Sequence, residues 1–100
     1  MFIIEITYKK SLESIDQYLA EHRAFLDHGY KNNYFITSGP KNPRTGGIIF
    51  SQLLDRDQLE NILRSDPFNI HDVADYKITE FHPTKFHSNF ASFIDVATAY

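Results

Sequence analysis

The order of patterns along the chain predicts an α+β fold of the ferredoxin-like class, with strands and helices in the order βαββαβ. Four short segments rich in β-branched and aromatic residues alternate with two segments whose apolar residues recur at helical spacing. The chain has 100 residues, which is the size of one domain. We therefore expect one four-stranded antiparallel sheet with two helices on one of its faces.

The first strand and the first helix are predicted within residues 2–28. Residues 2–8 are rich in isoleucine and aromatic residues, and polar residues follow them, as is typical of a strand. Residues 12–28 are predicted to be helical because their apolar residues fall on one stripe, namely Leu12, Ile15, Leu19, Phe25 and Leu26.

The first helix has two candidate caps at its start and a glycine at its end. Ser14 with Gln17 three residues later fits a capping box, and Ser11 is the alternative cap. Gly29 is expected to end the helix in a left-handed conformation, which glycine adopts without strain.

The second and third strands are predicted to form a hairpin. Residues 34–38 and 48–53 have strand composition, and both contain aromatic and β-branched residues. Between them, residues 39–47 are rich in glycine and proline, which indicates a long hairpin loop.

The second helix and the fourth strand complete the pattern. Asp55, with Gln58 three residues later, is expected to open a helix that runs to about Arg64. Asp66-Pro67 ends it, because proline disfavours a helical residue before it. Residues 76–81 are the fourth predicted strand.

Composition argues against several classes of function. The chain has 13 acidic and 10 basic residues, a formal net charge of −3, and its basic residues are scattered, so no nucleic-acid partner is expected. Cysteine is absent, which excludes disulfides, thiolate metal sites and a cysteine nucleophile. No apolar run approaches the ~18 residues of a membrane span, and the N-terminal residues do not resemble a signal peptide. We expect a cytoplasmic protein that binds no membrane.

A sheet with helices on one face leaves its other face open. Five strand residues cannot all point at the helices: Ile3, Tyr8, Phe35, Phe50 and Tyr76. An exposed apolar patch usually marks an interface, so we expect a homodimer that packs sheet on sheet. The alternative is that these side chains are half exposed in a single chain.

The predicted domain is residues 1–85, and residues 86–100 form an aromatic C-terminal extension. The extension has a single charge, Asp95, and several apolar side chains, namely Phe86, Phe90, Phe93, Ile94 and Val96. A free tail is usually polar, so we expect this one to dock on its own domain or on the dimer partner.

His22 differs from the other four histidines because it falls on the apolar stripe of the first helix. The histidines do not have the spacing of metal ligands, so neither a metal nor another cofactor is expected. A buried imidazole needs a partner, since an unpaired buried polar group costs ~1–3 kcal/mol. That partner is either a backbone carbonyl, in an ordinary core histidine, or Asp66, which the antiparallel helices bring within side-chain reach.

Residues that follow the second strand are candidate ligand contacts. Ser38, Gly39 and Pro40 end this strand near Asp66, and a glycine there lets a ligand approach the backbone. Arg44 in the hairpin loop is suited to clamp a carboxylate. Each has an ordinary alternative, a turn for the first three and a solvated side chain for Arg44.

Several segments of the chain together resemble the YciI-like (YCII-related) proteins, over roughly residues 1–82. They are Glu21-His22-Arg23-Ala24-Phe25-Leu26, residues 38–49 and Asp66-Pro67-Phe68. The resemblance implies a dimeric α+β barrel related in fold to muconolactone isomerase. It also implies an active site of a histidine and an aspartate, which fall on His22 and Asp66.

The resemblance implies less about the reaction. Most members of the family have no established activity, a few relatives act on chlorinated hydroxyquinols, and others are small partners of other proteins. Many relatives carry an arginine one turn before the histidine. This chain has Tyr18 and Leu19 there, and its arginine, Arg23, follows the histidine instead.

Two functions from different classes follow. In the first, the protein is a small enzyme in which His22 is a general acid-base group and Asp66 orients it, for isomerisation or elimination on a small cyclic or aromatic acid. In the second, the protein is a non-catalytic dimeric module that binds a small ligand or another protein, and the pair is structural. A cleft beside His22 favours the first function, and a fully packed His22 favours the second.

Overall fold

The computed structural model describes residues 1–94, and residues 95–100 lie outside it. In chain order the elements are β1 Phe2–Tyr8, α1 Leu12–Asp16, α2 Leu19–Lys31, β2 Phe35–Pro40, β3 Gly46–Ser51, α3 Arg56–Leu63, α4 Pro67–Ile70, β4 Ala74–Glu80 and a 3₁₀ helix Ser88–Phe93. This is the predicted βαββαβ order, with each helical segment divided into two helices.

The four strands form one antiparallel sheet in the order β2-β3-β1-β4. β1 lies inside the sheet, and its Ile4 is paired with Ile49 of β3 and Ile78 of β4. β2 is not a neighbour of β1, and β4 is not a neighbour of β3. The helical segments that join these strands therefore cross over the sheet. The predicted ferredoxin-like fold class is confirmed.

The first predicted helix is divided at Gln17 and Tyr18. Ser11 is the cap of α1, because its hydroxyl accepts a hydrogen bond from the backbone N–H of Ser14. The Tyr18 N–H bonds to the carbonyl of Ile15, only three residues back, and this tighter turn separates α1 from α2. The alternative cap at Ser11 is therefore the one observed.

Gly29 has a different role from the one predicted. α2 continues to Lys31, and the left-handed residue that follows it is Asn33, with φ of 60°. Gly29 lies inside the helix, where a Cβ atom would overlap the ring of Phe35. The prediction of a glycine cap was wrong, because the glycine serves close packing between α2 and β2.

The third strand lies two residues earlier than predicted. It begins at Gly46, where a Cβ atom would overlap the backbone of Ile6 in β1. It ends at Ser51, whose buried hydroxyl donates to the carbonyl of Tyr34 over 2.8 Å and accepts from the N–H of Leu53 over 3.2 Å. These side-chain bonds lie beside a backbone hydrogen bond of 3.1 Å from the N–H of Gln52 to the same Tyr34 carbonyl.

The core lies between the sheet and the helices. Alternate residues of each strand point into it, and the helices add Ile15, Leu59, Leu63 and Phe68. The same face carries Tyr8, Phe35 and Tyr76. Each of them is opposite a buried residue of a neighbouring strand or an even number of residues from a buried residue of its own strand.

The opposite face of the sheet is partly apolar. Ile3 and Phe50 are directly opposite each other on it, and Ile48 lies opposite Glu5. Glu5 is also opposite Lys77 of β4, so charged residues border the apolar centre. Two of the five residues singled out in the sequence therefore point away from the helices.

The described part of the C-terminal extension contains the 3₁₀ helix. His87 caps this helix by accepting from the N–H of Asn89, and the rings of Phe90 and Phe93 lie 5.4 Å apart. Phe86 is 40% exposed, and residues 86–94 are all at least partly exposed. Docking of the extension stays a prediction, and Asp95 and Val96 lie outside the described residues.

Within residues 1–94, the helices lack the length and apolar composition that a membrane crossing requires.

The Gly29→Ala substitution is expected to destabilise the protein. Overpacking against Phe35 costs about 1–3 kcal/mol, and the better helix propensity of alanine offsets about 1 kcal/mol of that. The free energy of unfolding, measured in urea, should therefore fall. The matched control is Gly39→Ala, where an added Cβ meets no atom within 4 Å. A Gly29→Ala protein as stable as this control would contradict the packing role.

Candidate active site

His22 and Asp66 meet in the interior of the protein. The Nδ1 atom of His22 lies 2.8 Å from Oδ1 of Asp66, and the two residues are 8% and 0% exposed. His22 lies on α2 and Asp66 directly before α4, and these two helices are in contact. The structure thus brings together the two residues that the sequence analysis considered as a pair.

The Asp66-Pro67-Phe68 segment positions two groups against His22. Asp66 caps α4, and its Oδ1 accepts a hydrogen bond of 3.1 Å from the backbone N–H of Phe68. Pro67 occupies the first turn, where its missing N–H is not needed. The ring of Phe68 then stacks on the imidazole, with centroids 4.0 Å apart and planes at 10°. One short segment therefore fixes both the hydrogen bond and the plane of His22.

Asp66 receives a further hydrogen bond from the sheet. The hydroxyl of Tyr76 in β4 donates to Oδ2 of Asp66 over 2.5 Å. Burial and the nearby carboxylate raise the pKa of the Tyr76 phenol, so this group keeps its proton and remains a donor. Two donors, the N–H of Phe68 and the hydroxyl of Tyr76, thus reach this buried carboxylate beside the ring of His22, and this suits the ionised form because that form only accepts hydrogen bonds.

The bond to Asp66 determines which nitrogen of His22 carries the proton. Since the carboxylate only accepts, Nδ1 must donate, and the lone pair of the neutral ring is then on Nε2. Within residues 1–94, every fully buried side-chain nitrogen or oxygen has a hydrogen-bond partner, whereas Nε2 of His22 has none there. Nε2 is therefore accessible, and it is the atom of His22 that can exchange a proton with a ligand.

A cavity of about 380 Å³ opens beside His22. This volume lies within the ~300–1,000 Å³ range of small-molecule sites. Its walls are formed largely by apolar groups and two backbone segments without bulky side chains, namely Tyr8, Leu19, Leu26, Gly39, Pro40 and Gly47. His22 is thus partly packed and partly exposed to a cleft.

Two arginines, Arg23 and Arg44, also line this cavity. The guanidinium of Arg44 lies 2.5 Å from the carboxylate of Asp16 and 6.0 Å from the centre of the Tyr8 ring. The hydrogen bond to Asp16 raises the pKa of Arg44, so the side chain stays charged. The cavity therefore combines apolar walls, an imidazole and positive charge, a set that suits a small anionic ring.

The predicted contact residues divide into two groups. Gly39, Pro40 and Arg44 line the cavity with His22, although the alternative roles considered for them were turns and a solvated loop. Ser38 is not among the residues that line it, and its hydroxyl lies 2.5 Å from the Tyr30 hydroxyl. The role of each residue in binding stays a prediction.

The sequence analysis missed three groups at the site. Tyr76 was treated as a strand aromatic, although its alternation with buried residues of β4 places it on the helix side. Tyr8 ends β1 with the same parity, and Arg23 was noted only as a departure from relatives. Strand alternation was the signal available for both tyrosines.

Metal-ligating side chains do not gather at this site. Over residues 1–94, no group of three or more histidine, aspartate or glutamate side chains is arranged to hold a metal ion.

Comparison with known families identifies the chain. The model of the YCII-related domain matches residues 1–82. The chain belongs to the YCII-related family. The match ends before the aromatic extension, and it includes His22, Asp66 and every residue that lines the cavity. A search of the curated proteins found no match.

One solved structure shows the same fold. It is 5-chloro-2-hydroxyhydroquinone dehydrochlorinase from Burkholderia phenoliruptrix AC1100, in complex with 2,5-dihydroxybenzoquinone. The TM-score is 0.71 and the sequence identity is 17%, and the match covers 82% of this chain and 93% of that chain. At this identity the likeness concerns the fold.

Proposed function

We propose that the protein is an enzyme in which His22 transfers protons to and from a small cyclic or aromatic acid. The observation that carries the proposal is the arrangement of the imidazole: Asp66 holds Nδ1 in the interior, while Nε2 is accessible in a ring that lines a cavity of about 380 Å³. A cleft beside His22 is the feature that favours a catalytic role of this histidine over a purely structural one.

The reaction class follows from what an imidazole with a fixed tautomer can do. Nε2 removes a proton from a carbon next to a carbonyl, the electrons of the C–H bond form a carbon–carbon double bond, and the π electrons of the carbonyl move to its oxygen. In an elimination, the carbonyl then re-forms while a leaving group on the next carbon departs with its bonding electrons, whereas in an isomerisation the proton returns to a different carbon as a carbonyl re-forms. Asp66 stabilises the imidazolium in either case, and such a base typically contributes ~10²–10⁴ in rate.

Charge in the cavity supports an acidic substrate. Arg44 and Arg23 supply positive charge, and Gly39 and Pro40 let a flat ring approach the backbone. Arg44 is held by Asp16 in this structure, so an incoming carboxylate or phenolate exchanges one anionic partner of Arg44 for another.

The solved structure of similar fold supports elimination as the first reaction to examine. That protein is a dehydrochlorinase, and it was found with 2,5-dihydroxybenzoquinone. This compound is a small acidic ring in which each C–H carbon lies between an enol carbon and a carbonyl. Its hydrogens exchange when an acid adds a proton to that carbon, giving a CH₂ tautomer, and a base then removes the original proton, so it is a suitable probe for an acid-base group in the cavity.

His22 and Asp66 are expected to catalyse hydrogen exchange in the bound probe. With the wild-type protein in D₂O, the C–H protons of 2,5-dihydroxybenzoquinone should exchange with deuterium ~10²–10⁴ times faster than without it, the range of one general base. His22→Gln should abolish this acceleration, and Asp66→Asn should reduce it. Proton NMR of the probe measures the rates, and calorimetry measures its affinity.

The control for this experiment is His28→Gln, a histidine on the exposed side of the same helix. Its exchange rate should equal that of the wild type. Binding of the probe without accelerated exchange would instead favour the non-catalytic ligand-binding module. Equal acceleration by His22→Gln would reject His22 as the base.

Arg44→Gln is expected to weaken the binding of anionic rings. A charge-assisted hydrogen bond contributes ~1.5–3 kcal/mol, so benzoate should bind at least about tenfold less tightly. Benzamide, which has the same ring without the charge, should be affected little. Lys41→Gln is the matched control, since Lys41 lies in the same loop but does not line the cavity. Equal losses for benzoate and benzamide would contradict an anion-binding role.

We also propose that the protein is a homodimer in which the open faces of two sheets pack together and the C-terminal extension docks. The apolar centre formed by Ile3, Ile48 and Phe50 supports this arrangement, and its charged border, Glu5 and Lys77, supplies groups that complement each other across a twofold axis. A stable interface buries at least ~1,000 Å² in total.

Sedimentation equilibrium at micromolar concentration is expected to give twice the mass of the chain. Phe50→Asp should shift the equilibrium towards the monomer, because it places a charge in the apolar centre of the face. Truncation after Lys85 should weaken the dimer or lower the melting temperature, since burial of one phenylalanine contributes ~1.5–3 kcal/mol. A monomeric wild-type protein would reject the dimer, and an unaffected truncation would reject the docking.

A further inference from the structure

We propose that Tyr76 is a positioning residue for the His22–Asp66 pair, with its phenol holding one oxygen of the carboxylate and sharing the negative charge that faces the imidazole. This inference rests on the proposed function, because a positioning role has meaning only if His22 and Asp66 take part in a reaction. It adds a third side chain to the site, contributed by the sheet rather than by the helices.

The two oxygens of Asp66 have separate partners. Oδ1 accepts from Nδ1 of His22 at 2.8 Å and from the N–H of Phe68 at 3.1 Å, whereas Oδ2 accepts from the hydroxyl of Tyr76 at 2.5 Å. Asp66 is 0% exposed, so solvent does not reach it in this arrangement. Within residues 1–94 the Tyr76 hydroxyl is the sole partner of Oδ2, and its removal leaves that oxygen without a donor.

The position of Tyr76 on the sheet makes this contact rigid. Tyr76 is opposite Ile6 in the register of β4 with β1, and Ile6 is buried on the helix side. Strand alternation therefore directs the phenol towards the helices, where it meets the carboxylate that caps α4. The carboxylate is held from the sheet by Tyr76 and from its own segment by Phe68, so it cannot rotate without losing a hydrogen bond.

Tyr76 remains a donor over the range in which a histidine titrates. Burial and the Asp66 carboxylate raise the pKa of the phenol above its ordinary value. The hydrogen bond from Tyr76 to Asp66 therefore persists whether the imidazole is neutral or charged.

The consequence for His22 is electrostatic. A carboxylate that shares its charge with a phenol attracts an imidazolium less strongly than one without that donor. The other titratable groups that line the cavity with His22 are Tyr8 from β1, Arg44 from the β2–β3 loop and Arg23 of α2 itself. The two arginines disfavour the charged imidazole, and Asp16 offsets part of the charge of Arg44. Removing the phenol hydroxyl strengthens the attraction by Asp66 and leaves these groups unchanged.

Tyr76→Phe is therefore expected to make His22 more basic while its ring remains in place. The titration midpoint of His22, followed by NMR of its ring protons in the free protein, should lie at higher pH in the variant than in the wild type. The matched control is Tyr34→Phe, which removes a hydroxyl from another half-buried tyrosine that contacts neither Asp66 nor the cavity. Its midpoint should equal that of the wild type.

The second readout is the pH profile of hydrogen exchange in 2,5-dihydroxybenzoquinone. In Tyr76→Phe the limb of this profile that follows the protonation of His22 should move to higher pH by the same amount as the His22 midpoint, while the affinity for the probe changes less than about twofold. A tyrosine that only fills space would lower the stability of the protein on substitution, with no movement of either midpoint.

The wild-type protein offers a measurement that needs no variant. The hydroxyl proton of Tyr76 should be protected from solvent and visible by NMR, and its resonance should shift with the same midpoint as His22. An unchanged His22 midpoint in Tyr76→Phe, or a Tyr76 hydroxyl that does not respond to His22, would overturn the inference while exchange by the wild type still supported the proposed function. A wild type without exchange would overturn the proposed function and, with it, the positioning role.

Discussion

The buried carboxylate of Asp66 is the constraint on which the rest of the site depends. An ionised group with no exposure must have its oxygens satisfied by the protein, because an unpaired buried charge is far more unfavourable than an unpaired neutral group. Here the donors come from α2, from the start of α4 and from β4, through His22, Phe68 and Tyr76. One carboxylate thus links the helix layer to the sheet at a single point, and it fixes the ring of His22 as a consequence.

The location of the cavity follows from the same crossing of elements. α2 passes over the sheet close enough that Gly29 contacts Phe35, whereas nearer its start the helix lies beside the hairpin of β2 and β3. Small residues of that hairpin, Gly39 and Gly47, leave space there, and Arg44 closes one side. Close packing at one end of α2 and an opening at the other leave His22 between a rigid core and an accessible cleft.

The sequence predicted those features that depend on local patterns. The strands, the order βαββαβ and the unusual position of His22 on an apolar stripe are properties of neighbouring residues, and the structure agrees with them. Features that depend on distant contacts were less accessible. Gly29 follows a helical pattern as a cap would, and only the ring of Phe35, six residues later, shows why a glycine is there. In the sequence, Tyr76 resembles any other aromatic residue of a strand. Its hydrogen bond to Asp66 is visible only when β4 is placed beside α4. The extent of the cavity depends on how the end of β1, the β2–β3 hairpin and α2 meet, which no spacing in the sequence encodes.

Energetics give a physical reason to regard the His22–Asp66–Tyr76 cluster as more than a packing device. Buried ion pairs are weak sources of stability, because removing the charges from water offsets most of their attraction, and apolar residues of similar volume often serve as well. Asp66 could cap α4 from an exposed position, and Phe68 could pack against an apolar side chain. What an apolar cluster could not do is hold the proton on Nδ1 of His22 and leave the lone pair of Nε2 accessible beside two arginines. Stability therefore does not require the hydrogen-bonded imidazole with its accessible Nε2, whereas proton transfer does. This difference connects the fold to the chemistry proposed for it.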